Sequence, residues 1–176
     1  MEIPPKITLA IDAMGGDHAP HAIITGTELA VRLDPSITPI LVGDEQKIRP
    51  LIKADSPLRD VRIHHTTDKV ASDDVPSQAL RSGKKSSMRL AIDLVNDGTA
   101  DAVVSAGNSG ALLIMALMAL RTIEGIDRPA MAAFFPTMNG RCCMLDLGAN
   151  IECSATNLVQ FAVMGDAFFL VTADES

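Results

Sequence analysis

The sequence predicts an α/β fold, a three-layer α/β/α arrangement around a mostly parallel, mixed sheet, and three observations carry that expectation. Short runs rich in Ile, Val, Leu and Ala alternate with longer segments whose apolar residues recur at helical spacing. The runs end in Gly, Asp or small polar residues, as strands do where they give way to loops. Towards the C-terminal end two apolar runs flank Asn139-Gly140, which adds an antiparallel pair to an otherwise βαβ order.

Residues 7–11 read as the first strand, "DAMGGDHAP" as a loop, and residues 20–32 as a helix with Pro20 in the first turn, where its missing N–H costs least. Residues 39–42 give the second strand. "GDEQKIRPLIK" gives a short helix that Pro50 shortens or kinks, and residues 61–65 a third strand. "TTDKVASDDVPSQALRSGKK" reads as a polar connection. Ser86 or Ser87 caps a helix that runs to Asn96, where "NDG" stops it, and "DAVVSA" follows as a strand. Residues 111–120 form an apolar helix. "PAMAAFFPT" and "RCCMLDLGA" pair through a type I′ turn at Asn139-Gly140, and a last helix starts at Ser154 or Thr156, carrying Leu158, Phe161, Ala162 and Gly165 at helical spacing. With no repeat and no linker, one α/β domain over residues 1–176 is expected.

Composition excludes several classes of function. At 47% hydrophobic and 21% charged, 176 residues can bury about 70% of their unfolded surface in a core without staples. A net charge of −7 and aromatics at 3%, with neither Trp nor Tyr, argue against a nucleic-acid partner. Cys142, Cys143 and Cys153 form no C-x-x-C pair and no even disulfide framework, which fits a reducing compartment. "MEIPPKITLAID" lacks the basic and long apolar regions of a secretory signal, so a cytoplasmic chain is expected. The 111–120 stretch falls short of the ~20 residues that cross a bilayer.

Three loops emerge where ligands collect in open α/β sheets, beyond the carboxyl ends of strands: 12–18, 105–110 and 146–150. In the second, Gly107-Asn108-Ser109-Gly110 places bare backbone between two buried segments. Small residues there let backbone amides reach an anion at the start of the next helix, with the Ser109 hydroxyl as a further donor; a tight turn with close helix packing is the plainer reading. Neither G-x-G-x-x-G nor G-x-x-x-x-G-K-[ST] occurs. "GNSGA" half matches a nucleophile elbow, but all four histidines precede Ser109, so the order Ser, acid, His cannot be completed.

Asp17, His18 and His21 offer metal-ligand types, yet Pro20 breaks their helical spacing and no further ligand is evident, so no metal is expected. His18 alone is either a donor to phosphate and a proton source for a leaving group, or a solvated capping residue. His64 and His65 alternate across a strand and read as structural. Lys84-Lys85 attracts an anionic substrate or simply faces water. Asp12, Asp146 and Asn150 sit at strand ends, where such side chains bind ligands or tie down turns.

"AIDAMGGDHAP", "SAGNSGAL", "GIDRPA" and "LDLGAN", in this order, resemble the motifs of the bacterial acyl-(acyl-carrier-protein):phosphate acyltransferases of phospholipid synthesis. The likeness runs from about Lys6 to Gly165. It implies an isocitrate/isopropylmalate-dehydrogenase-like fold related to phosphotransacetylases. The implied reaction takes acyl-carrier-protein thioester and inorganic phosphate to acyl phosphate and free carrier protein, with no cofactor. A cytoplasmic homodimer loosely associated with the membrane, through the downstream acyltransferase, is the implied working form.

By the same resemblance Gly107, Asn108, Ser109 and Gly110 form the phosphate cradle. Asp12, Gly15, Gly16, Asp17 and His18 form a second wall, and Asp146, Gly148 and Asn150 a third. Catalytic roles fall to His18, Asn108 and Ser109. Arg128 in "GIDRPA" meets phosphate or carrier protein, or pairs with Asp127 at the surface. Family chains are longer, and after Met164-Gly165 this one reads "DAFFLVTADES" and leaves the family pattern, so an N-terminal portion with exposed apolar surface is expected. Two other readings stay open: a non-catalytic module that binds phosphate or acyl phosphate, and a phosphotransacetylase-like enzyme that uses acyl-CoA.

Overall fold

Near-continuous runs of Ile, Leu, Val and Ala suit strands buried on both faces, and a computed structural model, which describes residues 5–150 and 152–173, places them in a parallel sheet. The chain divides into two compact units, residues 1–120 and 121–176.

In the first unit β1 (Ile7–Asp12), β2 (Ile37–Gly43), β3 (Arg62–His65) and β4 (Ala102–Val104) lie in the order β3-β2-β1-β4. All are parallel, with Ile11 opposite Leu41 on one side and Val104 on the other. Alternate residues point to opposite faces. Ile11 and Leu41 pack with Ile24 of α1 (His21–Leu33), Ile48 of the short α2 (Glu45–Ile48) and Leu58. Ala10, Ile40 and Val42 pack on the other face with Ala91 and Leu94 of α4 (Ser87–Asn96). The three-layer α/β/α class expected from the sequence is the one observed.

Beyond the sheet, α3 (Pro76–Ser82), α4 and α5 (Ser109–Leu120) share a third apolar cluster built on Ala79, Met88, Ile92, Ala111 and Met115. Ser86 caps α4 by accepting from the Arg89 amide at 3.2 Å, as the sequence predicts. The polar connection expected over residues 66–85 instead contains α3. Pro76 opens it, with φ preset for a first turn, and only Ala79 and Leu80 supply apolar anchors, too few to register as a period. Helix α5 begins two residues earlier than expected, at Ser109.

In the second unit β5 (Ala132–Thr137) and β6 (Gly140–Leu145) form an antiparallel sheet of their own, with Thr137 opposite Gly140. The link is therefore Met138-Asn139, one residue earlier than expected, and neither has positive φ, so the turn is not type I′. The left-handed position falls on Gly140, at φ +112°. Helix α6 (Ala155–Ala173) begins where Ser154 and Asn157 cap each other: Ser154 Oγ donates to Asn157 Oδ1 and accepts from the Asn157 amide. Phe134 of β5 stacks on Phe168 of α6 with centroids 5.3 Å apart, and the Arg141 guanidinium lies 4.5 Å over the Phe134 ring. Ala155–Thr172 is apolar enough for its length to cross a membrane, a test that helices of soluble proteins also pass.

Candidate functional site

Strands β2 and β3 extend the sheet to one side of β1 and β4 to the other, so the carboxyl ends of β1 and β4 flank the point where the strand order reverses, the place where open α/β sheets bind ligands. Strand β1 ends at Asp12, only 1% exposed. A carboxylate this buried needs donors. Its Oδ1 accepts from the Met14 amide at 3.2 Å and its Oδ2 from Ser105 Oγ at 2.7 Å, while Ser105 Oγ accepts from the Gly107 amide at 3.1 Å. The two loops are thus clasped through one buried acid.

Glycine at 15 and 16 follows from that crossing. A Cβ on Gly15 would lie 2.5 Å from Asp12 Oδ2 and 3.0 Å from the Gly107 nitrogen. Gly16 has φ +95°, and its Cβ would meet the Ala106 carbonyl oxygen at 2.8 Å.

Above the clasp lies a cleft of about 330 Å³, lined by Gly16, Asp17, Ser72, Ala106, Gly107, Asn108 and Ser109. Asn108 organises it from two ends of one carboxamide. Oδ1 accepts from the Ala111 amide at 2.9 Å, capping α5, and Nδ2 donates to the carbonyls of Ser72 at 3.1 Å and Asp74 at 2.9 Å. Ser72 Oγ donates to Asp17 Oδ1 at 2.9 Å. The first-turn amides of α5, at Ser109 and Gly110, have no intrahelical acceptor by their position, and the helix dipole adds about half a positive charge there. No Lys or Arg is among the lining residues. An oxyanion entering here would be held by amides and hydroxyls rather than by a cationic side chain.

The structure therefore gathers Asp12, Gly15, Gly16, Asp17, Gly107, Asn108 and Ser109 at one corner of the first unit, with Asp12 in a supporting place beneath the cleft. Gly110 serves packing: a Cβ would come 2.9 Å from Pro76 Cγ. His18 is exposed and does not line the cleft; its carbonyl accepts from the Ala22 amide at the start of α1. Among the described residues no three His, Cys, Asp or Glu side chains group as metal ligands. His65 Nδ1 accepts from the Glu45 amide at 3.2 Å, the structural role expected of it. Lys84 and Lys85 are exposed.

Asp146, Gly148 and Asn150 build a turn of the second unit. Asp146 has φ +62° and Gly148 φ +87°, and Asp146 Oδ1 accepts from the Asn150 amide at 3.1 Å and from its Nδ2 at 3.2 Å. Cys153 Sγ donates to Asp146 Oδ2. Burial first, and then the Asp146 carboxylate, push the Cys153 thiol pKa up. Arg128 does not pair with Asp127 as expected; Nη1 donates to the Glu152 carbonyl at 3.1 Å, while Asp127 Oδ2 accepts from Gln160.

Sequence reasoning missed Ser72 and the clasp residue Ser105. The Ser-Asp-Asp cluster ahead of Pro76 in "ASDDVP" is a helix-start signal that would have marked the first as an ordered segment.

A family profile described as "Fatty acid synthesis protein" matches residues 7–171, six residues beyond Gly165, so the family pattern continues along the last helix. The phosphate acyltransferase of Rhodospirillum centenum is 56% identical over 164 residues, 93% of this chain and 46% of that protein. Those of Rhodospirillum rubrum and Methylococcus capsulatus are each 50% identical, over 93% and 90% of this chain and 47% of theirs. The chain thus spans about half the length of the curated relatives it matches.

Proposed function

The chain belongs to the fatty acid synthesis protein family, and from that premise we propose that it carries the phosphate site of an enzyme that moves a fatty acyl group from acyl-carrier-protein to inorganic phosphate, giving an acyl phosphate for phospholipid synthesis. The observation that carries the reading is the cleft at the reversal of strand order, with room for a small oxyanion and lined with amide and hydroxyl donors.

In this reaction a phosphate oxygen attacks the thioester carbonyl carbon, the carbonyl oxygen becomes an oxyanion, and the C–S bond breaks to release the thiolate. A thiolate leaves without a strong acid, so His18, outside the cleft lining, is not required as a proton donor to it. Positioning is the main demand. The Asn108–Gly110 amides and the Ser109 hydroxyl fix the phosphate beside the Gly107 backbone, whose own amide is held by Ser105, and the phosphate's loss of translational freedom is the principal contribution of this part of the chain. The Asp146, Gly148 and Asn150 turn of the second unit serves the same reaction. Acyl-carrier-protein and phosphate are the partners, and a cytoplasmic homodimer with loose membrane association is the working form.

The test is to mix the purified chain with palmitoyl-acyl-carrier-protein and phosphate and trap acyl phosphate with hydroxylamine, beside Ser109→Ala. Product that is lost in the variant is the expected result. Phosphate binding without product assigns this chain a binding role only, and equal or better turnover of acyl-CoA assigns it the phosphotransacetylase-like reaction.

A further inference from the structure

One residue of the cleft runs against an anion site. Asp17 brings a carboxylate to a lining otherwise made of glycine backbone, hydroxyls and a carboxamide, and no lining cation offsets it. Its Oδ1 accepts from Ser72 Oγ; its Oδ2 has no partner among the described residues. The Asn108 carboxamide is occupied at both ends, so it neither neutralises Asp17 nor competes for a ligand.

We propose that Asp17 makes the cleft selective for tetrahedral oxyanions that carry a proton, accepting phosphate and arsenate and rejecting sulfate, an inference that rests on the reading of the cleft as an anion site. A carboxylate can only accept hydrogen bonds. Beside a fully deprotonated tetrahedral anion it finds lone pairs and repels. Beside phosphate or arsenate near neutral pH it finds a P–OH or As–OH and accepts from it. Sulfate has the same shape and the charge of the phosphate dianion but no proton to offer, so size does not separate the two and the carboxylate does. Rejection through an unpaired acceptor is a repulsive route to specificity, added to the attraction that the amides supply equally to all three anions. The bound phosphate is also oriented: with its P–OH against Asp17, its unprotonated oxygens turn to the donors and to the incoming carbonyl carbon.

The experiment titrates the ¹⁵N-labelled chain with inorganic phosphate, arsenate and sulfate near pH 7 at constant ionic strength and follows the Gly107–Gly110 amides. Phosphate and arsenate are expected to shift those amides with similar affinity, and sulfate about tenfold or more weakly, the penalty of a carboxylate facing an anion without a proton. Asp17→Asn, which keeps shape and places a donor at the same point, should bring sulfate to within about threefold of phosphate, an effect of under 1 kcal/mol between the two anions. Ser72→Ala removes the partner of Asp17 but leaves the carboxylate, and should still reject sulfate. Sulfate binding as tightly as phosphate to the wild-type chain, or a preference unchanged in Asp17→Asn, overturns the role of Asp17 while the anion cleft stands. No shift of these amides with any of the three overturns the cleft reading and the selectivity together.

Discussion

Ser105 Oγ donates to Asp12 Oδ2 at 2.7 Å across a separation of 93 residues, joining the end of β1 to the end of β4 beneath the cleft. The bond is short because the acceptor is ionisable and shielded from water. Ser105→Ala leaves Asp12 with only the Met14 amide and frees the Gly107 amide from its acceptor. A loss of about 1–3 kcal/mol in urea unfolding is expected, the cost of a buried acceptor left short of a donor. A change within a few tenths of a kcal/mol would mean that the clasp does not hold the loops.

Gly15 lies inside that clasp, and its replacement tests the crossing of the loops directly. Gly15→Ala puts a methyl group 2.5 Å from Oδ2 of the Asp12 carboxylate, a group that cannot move without straining its bonds to Ser105 and Met14, so about 1–3 kcal/mol of destabilisation is expected, as in overpacked cores. Gly26→Ala is the matching control. Gly26 lies within α1, and its Cβ would meet nothing within 4 Å, so alanine should stabilise by about 0.5–1 kcal/mol through helix propensity. Equal effects of the two substitutions in a thermal or urea melt would remove the argument from close approach.

How far the sequence discloses the site depends on the range of the interactions involved. The strands were legible from their buried β-branched and leucine runs, and α5 from its apolar length after a glycine-rich loop. The glycine at 107 pointed to close backbone approach, which is how it is used; Gly15 and Gly16, marked only by the family resemblance, are used the same way. What could not be read is what the loops approach. Asp12 looked like a ligand residue or a turn residue, and only the fold brings Ser105 to it. Ser72 lies 55 residues from Asp17, in a run whose polarity suggested a plain connection. Helix α3 packs on α5 through two apolar residues, a tertiary contact too sparse to leave a period. In the hairpin, Asn139-Gly140 was the strongest local turn signal, but the pairing of Thr137 with Gly140 moved the link one residue back.

Asn108 does two jobs that substitution can separate. Asn108→Asp keeps an oxygen to cap the Ala111 amide, and its charge suits a helix N-terminus, but it loses both bonds to the Ser72 and Asp74 carbonyls. Helix stability should therefore survive while the 71–75 segment is released, seen as faster amide exchange or proteolysis there and weaker phosphate binding. Asn108→Ala loses the cap as well, at a further cost of about 0.5–2 kcal/mol. If the two variants unfold at the same urea concentration, the cap contributes nothing and the carboxamide acts only as a tether.

Cys153 and Asp146 give the second unit a pH signature. The thiol is held above its ordinary pKa by burial and then by the adjacent carboxylate, so the fold keeps it protonated at a pH where the unfolded chain has begun to lose that proton. The stability this contributes is whole below the unfolded pKa and is lost as pH rises through the folded one. Only the thiolate is alkylated. With iodoacetamide at pH 8, exposed Cys142 should react well before Cys153, whose rate should still be climbing above the usual thiol range. Asp146→Asn removes the negative charge yet suits the left-handed φ of +62° and retains an oxygen for Asn150, so it should speed Cys153 alkylation without opening the turn. The acceleration should be partial, because burial is the larger cause and remains. An unchanged rate in Asp146→Asn, or a Cys153 that reacts as fast as Cys142 in the wild-type chain, would show that the carboxylate and the turn do not govern this thiol.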